Sequence, residues 1–291
     1  MTANADSHPH AHSQGKLQLD SKDFQEFRDY LQTVAGIDLG HNKQYLVATR
    51  IRRILIDYKC ERLGDLTRLI KNASNQDIRQ KVIDAMTTNE TFWFRDTYPY
   101  LYLQKSILPE LAAKPGSSRI RFWSAACSSG QEPYSVSMIV EEFIRSTMGR
   151  SEIPAEIVAT DLSSQILESA KQGAYDRLSI ARGLSEQRLR DFFDHPAEDT
   201  WQVKAKVRQR VLFKPLNLQD SYLLLGKFDV VFCRNVLIYF SADLKRDILQ
   251  RIHGTMKPGG YLFLGSSESL GAAADLFDMI HCSPGVVYKA K

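Results

Sequence analysis

Cysteine is scarce in this chain of 291 residues. Its four cysteines, Cys60, Cys127, Cys233 and Cys282, lie far apart and form no CxxC pair. That argues against a disulfide scaffold or a zinc ribbon and fits reduced thiols. A GxGxxG fingerprint is also missing, so a nicotinamide dinucleotide has no glycine cradle. No apolar run approaches the ~20 residues of a membrane span, and the polar N-terminus has no apolar signal core. A cytoplasmic protein without membrane insertion is the expectation. Charge is balanced at 38 Lys and Arg against 34 Asp and Glu, net +4. That is too mild to argue for nucleic acid as a partner. Histidine is rare at seven residues. His8, His10 and His12 have no second ligand cluster to join, so they read as a solvated tail and no metal is expected.

What is present is a core-forming composition, 43% hydrophobic, enough for one large α/β domain and a smaller one. The most informative stretch runs from Arg119 to Ser135. Ile120, Phe122 and Trp123 give it strand-forming bulk. Ser124 to Gly130 are nearly all small, so a ligand can lie against the backbone. Glu132 and Pro133 fit the first turn of a helix, and Val136, Ile139, Val140 and Phe143 continue at helical spacing. A strand entering a helix through small residues is how α/β folds build a cofactor crevice. A tight strand–helix turn with no ligand fits these residues equally well.

Residues 1–18 are polar and aperiodic and read as a disordered tail. Residues 19–86 read as an all-α domain of four helices. Phe24, Phe27, Leu31 and Val34 line the first, which Gly36 ends; Asp65 is a plausible N-cap of the third. The second helix carries Lys43, Arg50, Arg52, Arg53 and Lys59 against Asp57. That is either a solvated face or a docking surface for an acidic partner. Residues 87–97 form a linker or lid, in which Asn89, Thr91 and Arg95 surround three consecutive aromatics, Phe92 to Phe94. Asp96 then reads as the cap of a helix through Leu101 and Leu111, stopped at Lys114-Pro-Gly116. Residues 98–291 form the α/β domain. Its second strand ends at Asp161, where a carboxylate can accept both ribose hydroxyls of a nucleoside. An insert spans about 174–210, with a short helix and a two-faced strand from Trp201 to Val207. The sheet resumes through Val211–Phe213, Phe228–Cys233 and Tyr261–Leu264, and Phe277–Lys289 closes it as an antiparallel hairpin.

This order of elements resembles the Class I S-adenosylmethionine-dependent methyltransferases. Within them the chain resembles the CheR family of chemotaxis receptor methyltransferases. The matching residues are Thr88–Arg95, Trp123–Ser135, Ala159-Thr-Asp161 and Phe232–Phe240. The resemblance covers nearly the whole chain. It implies an α/β Rossmann-like mixed sheet with a closing hairpin, a small antiparallel insert and an all-α N-terminal domain. The implied cofactor is S-adenosylmethionine, leaving S-adenosylhomocysteine. Asn89, Thr91, Arg95, Glu132, Asp161, Asn217, Leu218, Arg234 and Asn235 are its implied contacts, with Arg95 and Tyr239 near the reactive methyl. The implied reaction is transfer of methyl to glutamates of chemoreceptor cytoplasmic domains, docked by Arg50, Arg52 and Arg53, at membrane receptor arrays. One departure concerns the insert. Some members carry there a glycine-containing turn that grips a peptide at the receptor C-terminus, and Asp194–Trp201 has no glycine. A tether-independent monomer, or one using another adaptor, is therefore expected. A methyltransferase of RNA or a small molecule, and a cofactor-holding signalling module without turnover, are the alternative readings.

Overall fold

The computed structural model describes residues 19–114, 119–147 and 154–291. The tail expected over 1–18 lies outside them, as do Pro115 and Gly116 of the expected helix stop.

Four helices come first: α1 (Ser21–Ala35), α2 (Gln44–Asp57), α3 (Leu63–Lys71) and α4 (Gln76–Met86). Their apolar stripes meet in one core containing Phe27, Leu31, Val47, Ile51, Leu66 and Val82, which is what 3.6-residue periodicity demands of helices too short to persist alone. Asp20 caps α1, accepting from the Lys22 and Asp23 amides at 2.9 and 3.2 Å. Gly36 ends it in a left-handed conformation. The reading of Asp65 as an N-cap is corrected. Asp65 lies one turn inside α3 and reaches back to the Arg62 amide at 2.9 Å, the acidic half of a capping box.

The chain then crosses to the sheet domain through Thr87–Thr97. Asp96 does not cap the next helix. Its backbone is left-handed (φ 65°), and its carboxylate pairs with Arg234 at 2.5 Å. Helix α5 (Tyr98–Tyr102) passes through a π-helical turn, Leu103–Ile107, into α6 (Leu108–Ala113). Pro109 accounts for the turn: it has no N–H for the Lys105 carbonyl and its ring crowds that oxygen.

The sheet domain follows as β1 (Ile120–Ala125), α7 (Gln131–Ser146), β2 (Ala155–Asp161) and α8 (Ser164–Gln172). An insert adds β3 (Ala174–Tyr175), α9 (Arg177–Ile180), α10 (Glu186–Phe192), β4 (Phe193–Ala197), β5 (Thr200–Val203) and α11 (Ala205–Arg208). The chain returns through β6 (Val211–Pro215), β7 (Phe228–Cys233), α12 (Ala242–Thr255), β8 (Met256–Leu264), β9 (Phe277–Cys282) and β10 (Gly285–Ala290). The main sheet has the order β6-β2-β1-β7-β8-β10-β9. Its first five strands are parallel and β10 runs antiparallel between β8 and β9. β7 is buried at every residue, as a central parallel strand covered on both faces must be.

The insert forms its own sheet, β3-β5-β4. The strand read from Trp201 to Val207 stops at Val203, and Ala205–Arg208 is a helical turn instead. The pairing explains this. Val203 faces Phe193, the first residue of β4, so no strand remains beyond it to bond. Val207 is buried after the turn, and its carbonyl accepts from Ser137 of α7 at 2.8 Å.

Candidate active site

In the parallel part of the sheet the chain runs outward from β1 to β2 and β6, then returns to β7 on the other side of β1. Crevices of α/β sheets open at such a switch point, beyond the carboxyl ends of the strands. A cleft of about 980 Å³, counting its open mouth, lies there. Small-molecule sites span about 300–1,000 Å³. Asn89, Thr91, Arg95, Glu132, Asp161, Asn217, Leu218, Arg234, Asn235 and Tyr239 all line it.

The turn after β1 bends through two left-handed non-glycine residues, Ala126 (φ 62°) and Ser128 (φ 50°). The Ser128 amide thereby donates to Asp161 at the tip of β2, at 2.8 Å. The Ser163 amide holds the other carboxylate oxygen at 3.0 Å. Ser163, not Asp161, caps α8. Burial raises the pKa of Asp161 against the pull of these backbone donors.

Glu132 lies in the first turn of α7, where the helix dipole favours an acid. It accepts from Ser124 Oγ at 2.7 Å and faces Arg234 at 3.4 Å. Burial dominates its environment and raises its pKa, with Arg234 and Ser124 opposing. The Arg234 side chain is only 1% exposed. It bonds Asp96 and the carbonyl of Arg95 at 3.0 Å. Arg234 thus works chiefly as a post that fixes the linker to the tip of β7. Asn217 is likewise engaged by the protein, donating to the Val34 carbonyl at the end of α1 at 2.8 Å.

The aromatic run of the linker divides its labour. Trp93 is fully buried, with its indole N–H on the Ser179 carbonyl at 3.1 Å and edge contacts to Tyr175 and Phe193. Truncating such a side chain costs about 3–5 kcal/mol. Phe94 is buried beside Tyr100. Phe92 is half-buried under two guanidinium groups, those of Arg95 and Arg182, at 5.2 and 4.6 Å from its ring. The insert supports this arrangement at Gly183 (φ +93°), where a Cβ would meet the Trp93 carbonyl at 1.9 Å. The linker is therefore both packed on the core and turned toward the cleft.

Several wall residues were not expected. Ala35 and Ile37 of the helical bundle line the cleft, and the Asp38 amide bonds the Tyr239 carbonyl at 2.8 Å. Only the glycine stop at Gly36 marks this segment in the sequence. Arg50 is turned inward, donating to the carbonyls of Met86 and Thr87 at 2.8 and 3.1 Å and to Thr88 Oγ1 at 2.9 Å. Among the described residues no cluster of His, Cys, Asp and Glu is placed to hold a metal. No described helix is long and apolar enough to cross a membrane.

A parallel sheet closed by an antiparallel hairpin, with a buried carboxylate at the tip of its second strand, defines a Class I S-adenosylmethionine-dependent methyltransferase. Residues 89–286 match the SAM binding domain of CheR methyltransferases, and residues 22–87 match their all-alpha domain. The chain belongs to the CheR methyltransferase family, and S-adenosylmethionine is its cofactor. It is 54% identical over 269 residues to chemotaxis protein methyltransferase Cher2 of Pseudomonas putida, covering 92% of this chain and 98% of that protein. Chemotaxis protein methyltransferase 1 of Pseudomonas aeruginosa matches at the same identity and coverage. Chemotaxis protein methyltransferase 2 of Vibrio cholerae is 34% identical over 90% of each chain. Among solved structures, the N-methyltransferase NodS of Bradyrhizobium japonicum aligns at a TM-score of 0.41 and 12% identity, over 78% of this chain and 96% of that one.

The residues present fit such a cofactor. Asp161 has backbone donors on one side of each oxygen and lines the cleft with the rest. Asn235 also lines it, and its Oδ1 is buried with no partner among the described residues. Buried polar atoms are normally paired, so a ligand donor would complete the set. Ala35, Ile37, Leu162 and Leu218 supply apolar wall.

Proposed function

We propose that this chain transfers methyl from S-adenosylmethionine to glutamate side chains of chemoreceptor cytoplasmic domains, forming methyl esters for sensory adaptation. The observation that carries this reading is the lining of the cleft. Arg95 and Tyr239 are part of it, and no described lining residue is a histidine. When bound, the cofactor supplies an electrophilic methyl on a sulfonium. A glutamate with a reference pKa of about 4.3 is already an anionic nucleophile at neutral pH. The chain therefore needs no general base, and its task is alignment and exclusion of water. Arg95 orients the incoming carboxylate. Tyr239 walls the methyl and is steadied through its carbonyl by Asp38. Asp161 receives the ribose hydroxyls, and Asn89, Thr91 and Asn235 complete the cofactor contacts.

The helical bundle and the insert face the receptor. Arg52 and Arg53 of α2 are exposed, and Arg53 has Asp57, at 3.8 Å, as its one ion-pair partner among the described residues. They present positive charge to an acidic receptor surface. Arg50, committed to the linker, takes no direct part. The insert hairpin turns tightly, with Ala197 paired to Thr200, and has no glycine there. Receptor recognition is accordingly independent of a C-terminal peptide tether. The enzyme acts as a monomer in the cytoplasm, at receptor arrays.

The test is transfer of radiolabelled methyl to membranes carrying receptors, followed by mild base. Label released as methanol supports a carboxyl ester. Base-stable label would contradict it, as would label in an RNA fraction.

A further inference from the structure

The tips of β7 and β8 lie side by side, with Cys233 paired to Leu264. From β7 the chain leaves through Arg234 and Asn235 into the cleft. From β8 it turns at Gly265–Glu268, closed by the Glu268 amide on the Gly265 carbonyl at 2.9 Å. That turn aims the Glu268 carboxylate back at both tips. One oxygen accepts from the Asn235 amide at 2.6 Å and the Gly265 amide at 2.7 Å. The other accepts from the Ile238 amide at 3.3 Å.

Two further observations point to the same device. Asn235 is left-handed (φ 58°), a conformation that asparagine tolerates better than most non-glycine residues but that persists where the surroundings hold it. At Gly265 a Cβ would lie 2.6 Å from Glu268 Oε2 and 2.9 Å from the Asn235 amide. Only glycine lets the carboxylate close.

We infer that Glu268 is a positioning residue of the methyl-transfer site. It clamps Arg234–Tyr239, holding Asn235 and Tyr239 in the lining of the cleft. The inference rests on the cofactor reading of the cleft. A charge-assisted acceptor serving backbone donors is among the stronger hydrogen-bonding arrangements, so its loss falls on the geometry of the loop it holds.

The test compares Glu268→Ala, Glu268→Gln and Gly265→Ala with Lys257→Ala, a control that removes an ion pair to Asp229 away from the cleft. Two readouts are taken. Hydrogen exchange at the Asn235, Ile238 and Gly265 amides, without cofactor, reads the clamp itself. S-adenosylhomocysteine affinity by calorimetry reads its consequence. Glu268→Ala is expected to speed exchange at those amides and weaken affinity about tenfold. Gly265→Ala should do the same with the carboxylate still present. Glu268→Gln keeps one acceptor for the close pair and should recover most of the affinity. Unchanged exchange at the three amides in Glu268→Ala would overturn the clamp, whether or not the wild type binds cofactor. An equal loss of affinity in Lys257→Ala would reduce the effect to general stability and overturn the positioning role. Failure of the wild type to bind, with the exchange effect present, would count against the cofactor reading and leave the clamp standing.

Discussion

At the residue scale, the cleft is built from side chains that fix backbone and side chains that face a ligand, and the two have different consequences. Asp161 does both. Its oxygens hold Ser128 and Ser163, and it lines the cleft. Asp161→Asn keeps the volume and one acceptor but loses the charge on which ribose donors would converge. Cofactor affinity should fall about tenfold, the value of a charged hydrogen bond; unchanged affinity by calorimetry would remove Asp161 from the binding set. Arg95 lines the cleft and is only lightly held by the protein, through a 3.4 Å contact to the Glu90 carbonyl and its place over the Phe92 ring. Arg95→Ala should leave the melting temperature within a few degrees while turnover drops about a hundredfold. Near-normal turnover would end its proposed role. These residues were legible in the sequence because each stands where an apolar run ends in a polar residue. Glu268 and Asp96 were not legible as site residues. Their roles depend on turns, and on left-handed backbone at Asn235 and Asp96, which no periodicity reports.

At the scale of elements, α7 is the hub. Its N-terminus presents Glu132 to the cleft, and its buried flank carries Glu141. Glu141 pairs with Lys206 and Arg210, each at 2.7 Å, and with Arg145 at 3.1 Å, tying α7 to α11 and to the residue that leads into β6. Burial raises the pKa of Glu141, but the three bases together outweigh it and bring it to about 2, below the ordinary 4.5. A depressed folded-state value stabilises fully above 4.5 and loses its effect as pH falls toward about 2. The loss should be of order 2–3 kcal/mol. Urea unfolding at about pH 6 and about pH 3 should show it in the wild type and not in Glu141→Gln; equal acid sensitivity in both would contradict the assignment. Strand and helix identities were largely readable, since buried parallel strands such as Phe228–Cys233 are apolar but for one residue, Asp229. The failure at Ala205–Arg208 has a tertiary cause. Alternation of apolar residues permits a strand, but no partner strand extends beyond Val203.

On the scale of the whole molecule, the helical bundle supplies part of the cleft's wall and is not an appendage to it. It is joined to the sheet domain by Asp38 to Tyr239, Asn217 to Val34 and Gln80 to Leu162, at 2.8, 2.8 and 3.1 Å. Ala35 and Ile37 close one wall of the cleft. Saturating cofactor should therefore slow hydrogen exchange at residues 35–38 as well as at the strand tips. Protection confined to the sheet domain would show that the bundle contributes no wall. This relation was beyond the sequence, because it depends on how two independently patterned units dock. The same docking puts α2 and the cleft in mechanical contact through Arg50, so the proposed receptor-facing helix and the linker share one side chain.

The most direct test of the central claim is tandem mass spectrometry of a receptor cytoplasmic domain after incubation with the protein and S-adenosylmethionine. The account predicts a methyl increment on glutamate side chains that mild base removes and that Arg95→Ala fails to produce. Methyl on lysine, arginine or a terminal amine would contradict it, and so would an unmodified receptor beside a protein shown to bind the cofactor.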